Sequence, residues 1–326
     1  MKKRVLIGLT ALFLLAVVAI GGIAAVGWTL FTSPGPFEGE TVYILKKGTG
    51  LRALSADLQE KAIINNQYAF IFGVRLEQKS GQLQAGEYRI PYAISGQDLM
   101  NLFVSGKVIE RLITIPEGLQ SREIRALVEA ADGLEGEITR PMPEGAFLPE
   151  SYQYRLGDTR DELLDRMAAA MQTAIAVITA AHPLPPEIKS EEEMVILASI
   201  IEKETAVAAE RPRVAGVFLN RLRKGMKLQS DPTVVYGVTG GTRDLGRLLS
   251  RKDLATVNDY NTYQMTGLPA GPIANPGIES LQSVVQPEET DYLYFVADGT
   301  GGHAFSLTLD EHNANVRKWR QLNKKP

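Results

Sequence analysis

From Val5 to Phe31 the chain carries no charged side chain, and none appears after that until Glu38. An α-helix needs about 20 apolar residues to cross a bilayer, so a run this long constrains everything after it to fold on one side of a membrane. Lys2, Lys3 and Arg4 precede the run. The positive-inside rule then leaves the N-terminus in the cytoplasm and exports the rest. A cleaved signal peptide is the competing reading, and Ala24 and Ala25 offer it small residues. The run is long for such a peptide, however, and no sharp AxA site ends it. We read residues 1–4 as a cytoplasmic tip, 5–31 as a single transmembrane anchor and 32–40 as a Pro/Gly linker.

Composition narrows what the exported part can do. With 44% hydrophobic and 22% charged residues over 326 positions, one or two ordinary globular domains are expected. The chain holds 35 Lys and Arg, three of them in the N-terminal cluster, against 38 Asp and Glu. An acidic remainder argues against nucleic acid as a partner. The absence of cysteine excludes disulfides, thiol catalysis, cysteine-ligated metals and a lipoprotein anchor. His182, His303 and His312 stand far apart with no ligand spacing, so neither a metal nor another cofactor is expected.

The stretch Ser190–Gly237 (SEEEMVILASIIEKETAVAAERPRVAGVFLNRLRKGMKLQSDPTVVYG) carries the strongest chemical signal. Ser190 with Glu193 has the form of a capping box, and Glu191 and Glu192 suit the positive end of a helix dipole. At ~100° per residue, Glu204 falls within roughly 60° of Leu197, Ile200, Ile201 and Val207. Glu202 falls roughly 160° away from it. Glu204 is therefore expected on a core or cleft floor, and Glu202 on a wetter side. A carboxyl group on an apolar stripe is held protonated by desolvation unless a cation neutralises it. That is the state a general acid needs near neutral pH; a buried structural ion pair is the other reading. Pro212 restarts the chain as a first-turn proline, Gly225 ends that second helix, and the two helices meet at a corner near Arg211. Met226–Gly237 reads as an extended loop.

Elsewhere Thr41–Leu45, a turn at Gly48 and a short helix carrying Leu54 and Leu58 form a strand–turn–helix unit. Gly118, Ile124 and Val128 echo Gly48, Leu54 and Leu58 seventy residues later, which suggests a repeated small module. It resembles the LysM-type module that binds wall glycans. Residues 41–110 are read as that LysM-like αβ module and 111–326 as a second, mixed α/β domain, an α+β chain overall. Glu144–Tyr154 (EGAFLPESYQY) is a loop of the kind whose aromatic faces pack on sugar rings. Asp259–Gly277 (DYNTYQMTGLPAGPIANPG) is dense in Pro, Gly and hydrogen-bonding side chains and is expected to hold one rigid path. A hairpin turns at DGTGGH, flanked by His303 and His312, which are read as structural hydrogen bonders.

The motifs ASIIEKET, FLNRLRKGMKLQSDPTVVYG, YNTYQMTGLPAGPIANPG and YLYFVADGTGGHAFSLTLDEHN occur in the order in which they stand in the endolytic murein transglycosylase (YceG-like) family, which this chain resembles over nearly its whole length. Ala270 departs from the family, which usually has a second proline there. The resemblance implies a membrane-anchored lyase of the bacterial inner membrane, its bulk extracytoplasmic, that cuts nascent peptidoglycan strands. The bond is the β-1,4 link from N-acetylmuramic acid to N-acetylglucosamine, and the product is a 1,6-anhydro end. It puts the family's catalytic glutamate on Glu204, at the end of a lysozyme-like catalytic helix. Gln229, Ser230, Asp231, Tyr260, Asn261, Thr262 and Asn275 are candidates for binding the sugar, with Glu150 and Tyr154 along the same groove. Peptidoglycan is the expected partner, together with a wall-synthesis polymerase that no sequence feature identifies.

Two other functions fit the same residues. A hydrolytic muramidase needs a second carboxylate, for which Asp231 or Glu150 is available. A non-enzymatic, membrane-tethered wall-binding scaffold needs only the LysM-like part.

Overall fold

The computed structural model describes residues 2–322. Its elements in order are α1 (Lys2–Thr32), β1 (Thr41–Leu45), α2 (Leu51–Glu60), α3 (Gln67–Leu76), β2 (Gly86–Ile90), α4 (Gly96–Ser105), β3 (Glu110–Thr114), α5 (Ser121–Ala130) and β4 (Ser151–Arg155). They continue with α6 (Arg160–Ala181), α7 (Glu191–Glu204), α8 (Arg211–Arg223), α9 (Asp231–Thr239), α10 (Arg251–Ala255), α11 (Ile278–Val285), β5 (Tyr294–Ala297), β6 (His303–Ser306) and α12 (Leu309–Leu322). The strands pair only as two-stranded ladders, β1 with β2, β3 with β4 and β5 with β6, so helices supply most of the packing surface. The chain is a mixed α/β protein with an apolar N-terminal helix. It divides into two compact units, residues 1–111 with 155–157, and residues 112–154 with 158–326.

In the first unit, β1 and β2 run antiparallel with Tyr43 opposite Tyr88. Tyr43 and Leu45 are buried while Val42 and Ile44 are exposed, the period-two alternation of a half-covered ladder. Leu54 and Leu58 of α2, Phe70 and Val74 of α3 and Leu99, Met100 and Phe103 of α4 close one core over it. The long helix α1 belongs to this core at one end only. From Leu6 to Ile23 its large apolar side chains lie exposed, whereas Phe31 is fully buried and meets the Phe70 ring edge-on at 6.1 Å. The anchor segment, read from sequence as distinct from the folded module, therefore contributes its last turns to that module's core.

The second unit has two cores. The smaller one joins Ile124 and Val128 of α5, Tyr154 of β4 and Leu163, Leu164 and Met167 of α6. The strand–turn–helix echo is present locally: Gly48 and Gly118 both have left-handed backbones, φ 82° and 73°, and the two pairs of apolar residues after them are buried. The larger core surrounds α7, which packs against α8, α9 and α11. The expected loop over Met226–Gly237 is a loop only in its first half. Ser230 stands at an N-cap position, Asp231 opens α9, and Pro232 sits in its first turn, where a missing N–H costs nothing. Likewise, the aromatic stretch Glu144–Tyr154 ends as strand β4.

Candidate active site

Helix α7 sets the position of Glu204. The Ser190 hydroxyl accepts from the Glu193 N–H at 3.2 Å to start the helix. The Glu193 carboxylate reaches back to the Lys189 N–H at 2.7 Å, one residue beyond the reciprocal bond of a capping box. Every residue from Met194 to Ile201 is buried. The helix therefore has no wet face between Met194 and Ile201, and this overturns the expectation for Glu202. Its side chain is 5% exposed, with Oε1 3.0 Å from Arg211 and Oε2 accepting from the Gly277 N–H at 3.0 Å. Arg211 also binds Glu117 at 2.8 Å and Glu279 at 2.5 Å. The two glutamates are distinguished by partner rather than by wetness: Glu202 is neutralised by a cation and Glu204 is not.

Thr205 breaks the helix immediately after Glu204 with an extended backbone, φ −138°. Glu204 then faces a cavity of about 470 Å³ lined also by Arg221, Gln229, Asp231, Tyr263, Tyr294 and His303, with Leu228, Phe295 and Leu309 among its apolar walls. Among the described residues its carboxyl accepts one hydrogen bond, from the Ser230 hydroxyl at 2.5 Å. Burial raises the Glu204 pKa from its ordinary 4.5 to about 7. The Ser230 hydrogen bond opposes that rise, the Asp231 charge adds to it, and His303 and Arg221 oppose it.

The loop beneath the cavity is held by side chains that the sequence offered as sugar ligands. The Thr262 hydroxyl accepts from the Ser230 N–H at 3.0 Å and pairs with the Thr233 hydroxyl at 2.8 Å. Gln229 lines the cavity with φ 51°, a left-handed backbone that costs a non-glycine residue roughly 1–2 kcal/mol. Asp231 accepts from the Tyr263 hydroxyl at 2.7 Å. Asn261 spends its amide on the carbonyls of Asp253, Leu254 and Thr256, and the Tyr260 ring meets Tyr236 at 4.7 Å, tilted by 50°. Asn275 is fully buried, accepting from the Phe147 N–H and donating to the Leu119 carbonyl. The Tyr154 hydroxyl donates to the Asp132 carbonyl inside the smaller core, and Glu150 is exposed, its carbonyl bonded to Ile115. The fold thus gathers Glu204, Gln229 and Asp231 around one cavity, and buried Ser230 reaches it through its bond to Glu204. Thr262 stands directly behind it, while Tyr260, Asn261, Asn275, Glu150 and Tyr154 are not among its lining residues.

Several residues that sequence reading left out also line the space. Arg221 is 7% exposed and donates to the carbonyls of Leu228 and Leu293, both at 2.7 Å, tying the loop and the hairpin to α8. Burial pulls its pKa down. In sequence it looked like an ordinary basic residue at a helix C-terminus. His303 and His312 arrive from the far end of the chain.

A sequence model described as the YceG-like family matches residues 43–318. A Bacillus subtilis (strain 168) protein named endolytic murein transglycosylase is 32% identical over 92% of this chain and 91% of its own length. A Streptococcus pneumoniae protein of the same name is 26% identical over 83% of this chain, which spans 57% of that longer relative. Among solved structures, a yceG-like protein from Listeria monocytogenes superposes with a TM-score of 0.52 at 28% identity, over 85% of this chain and 99% of the Listeria chain. Agreement at this breadth, across the cavity and both units, makes the chain a member of the YceG-like family.

Proposed function

We propose that this protein is an endolytic peptidoglycan lytic transglycosylase, a lyase that cleaves the β-1,4 bond from N-acetylmuramic acid to N-acetylglucosamine, with Glu204 as the acid. One observation carries the reading: a carboxyl group with no cation bonded to it among the described residues, desolvated at the floor of a cavity and held by the Ser230 hydroxyl. Such a group keeps its proton near neutral pH and can give it to a leaving oxygen. The muramic acid 6-hydroxyl then attacks the anomeric carbon, closing the 1,6-anhydro ring, and its proton returns to the Glu204 carboxylate. Because the sugar supplies its own nucleophile, the second carboxylate of an ordinary glycosidase is not required. Gln229 and Asp231 bind the sugar from the cavity wall, and Thr262 keeps Ser230 in place behind them.

The apolar outward face of α1 supports anchoring in the inner membrane with the basic tip in the cytoplasm and both units outside. The first unit acts as a LysM-like spacer or glycan binder, and a wall-synthesis polymerase supplies the nascent strand. Asp231 on the cavity wall gives the muramidase reading its one specific support, as a carboxylate able to serve a water.

Mass spectrometry of peptidoglycan digested by the full chain and by Glu204→Gln tests all of this. Anhydro ends from the wild type and none from the variant are expected. Ends carrying an added water would replace the lyase with a hydrolase, and undiminished cutting by the variant would remove Glu204 from the chemistry.

A further inference from the structure

His303 begins β6, and its imidazole is held in a defined way. Nδ1 lies 2.7 Å from the Glu210 carboxylate, which also accepts from the His303 backbone N–H at 2.9 Å. The Thr205 hydroxyl, on the residue after Glu204, donates to the same carboxylate at 3.3 Å. Burial would raise the Glu210 pKa, but the His303 bonds outweigh it and hold Glu210 as an anion. The Phe295 ring meets the imidazole at 90° and 5.3 Å, fixing its plane. A carboxylate on Nδ1 places the proton there and leaves the lone pair on Nε2. Both hydrogen bonds to Glu210 use the backbone N–H and Nδ1 and leave Nε2 out, on a side chain that lines the cavity with Glu204. A hairpin strut would need only the Glu210 bonds. An imidazole fixed through Nδ1, on a side chain lining a cavity that also holds a desolvated carboxyl, is the arrangement of a base beside an acid.

We propose that His303, oriented by Glu210, is a second proton-transfer residue of this site. Its Nε2 takes the proton of the attacking sugar hydroxyl and hands it to the Glu204 carboxylate. The inference rests on the lyase reading above and deepens it. The bond from the anomeric carbon to O4 breaks and O4 receives the Glu204 proton. The bond from the anomeric carbon to O6 forms as the O6–H proton moves to Nε2. That proton then passes from Nε2 to Glu204, which returns to its starting state, and no water, metal or oxidant is consumed. Glu210 is a positioning residue: it fixes the tautomer and stabilises the imidazolium while it lasts.

Charged and titratable groups from several elements face His303 or share its cavity. These are Glu210 before α8, Glu204 on α7, Arg221 on α8, Asp231 on α9, Asp298 in the hairpin turn, and His312 on α12 with Tyr294 stacked on it.

The test measures kcat, KM and the pH–rate profile of the full chain on uncrosslinked glycan strands for His303→Ala, His303→Asn and Glu210→Gln. Asn keeps a donor toward Glu210 and loses the accepting nitrogen, so it separates chemistry from folding; thermal unfolding of each variant checks the latter. Both His303 variants should lose about 100-fold in kcat with KM nearly unchanged. The acid-side limb of the profile should flatten, and added imidazole should restore part of the His303→Ala rate. Glu210→Gln should fall by about tenfold and keep the limb. Wild-type kcat in His303→Asn, or a lowered kcat with an unaltered profile and no imidazole rescue, would overturn the proposal while leaving Glu204 in place. Activity in Glu204→Gln would instead remove the reading beneath it.

Discussion

The 2.5 Å bond from Ser230 to Glu204 sets how far burial can push the acid. A hydroxyl donor favours the charged carboxylate, so Ser230→Ala should raise the Glu204 pKa above about 7 and move the alkaline limb of the pH–rate profile upward. An unmoved limb would mean that another group titrates there. The same shift links to stability. A carboxyl raised from 4.5 to about 7 contributes fully below pH 4.5, and that contribution is lost as pH rises through 7. Glu204→Gln cannot ionise, so its stability relative to wild type should grow across that window, by about 3 kcal/mol at pH 8. Thermal unfolding at pH 4.5 and pH 8 measures the difference, and an equal gap at both would contradict the buried-acid account. At this scale the sequence marked Glu204 through its apolar neighbours but misread Glu202, because a wheel assumes a helix with a wet side. His303 was out of reach in another way. Its partner Glu210 lies 93 positions earlier, and nothing local to either residue encodes the meeting.

At the level of elements, the corner between α7 and α8 depends on Arg211, 7% exposed, which ties Glu202 of α7, Glu279 of α11 and Glu117 before α5 to the start of α8. Removing the cation strands Glu202 in the core. Arg211→Met should cost about 3–5 kcal/mol, read from denaturant unfolding, and adding Glu202→Gln to it should recover a substantial part. If the double variant is no better than the single one, the cost lies in packing rather than in an unpaired charge. Element boundaries were legible wherever a cap announced them. Ser190 caps the start of α7 as expected, and Thr159 with Glu162 forms a capping box before α6. Ser230, Asp231 and Pro232 spell a helix start just as clearly, yet the polar cluster of Gln229, Ser230 and Asp231 drew the reading toward a loop. What no element signal carries is that α7 is enclosed by α8, α9 and α11, since enclosure is a property of neighbours.

For the whole molecule, the sequence divided anchor from module at the linker, and the fold does not. At 1.5 Å per residue, the 31 residues of α1 make a helix about 46 Å long, against about 30 Å of hydrocarbon. The surplus is at the C-terminal end, where Phe31 fills the core of the first unit. A Cβ at Gly73 would come 2.4 Å from its ring, and one at Gly96 3.0 Å, so α3 and α4 present glycines where the anchor docks. The helix is thus built into the first unit. A chain begun at Ser33 should therefore lose part of that unit's core. It should open a phenylalanine-sized hole, and Phe31→Ala in the full chain should reproduce the loss, about 3–5 kcal/mol. Limited proteolysis supplies the readout: both variants should be cut faster within residues 41–110, while fragments of the second unit, which has its own two cores, persist as in wild type. A chain begun at Gly27 keeps Phe31 and should resist like the full-length protein. Equal resistance in all three would show that the anchor is a detachable tether, and that the first unit holds its shape without it.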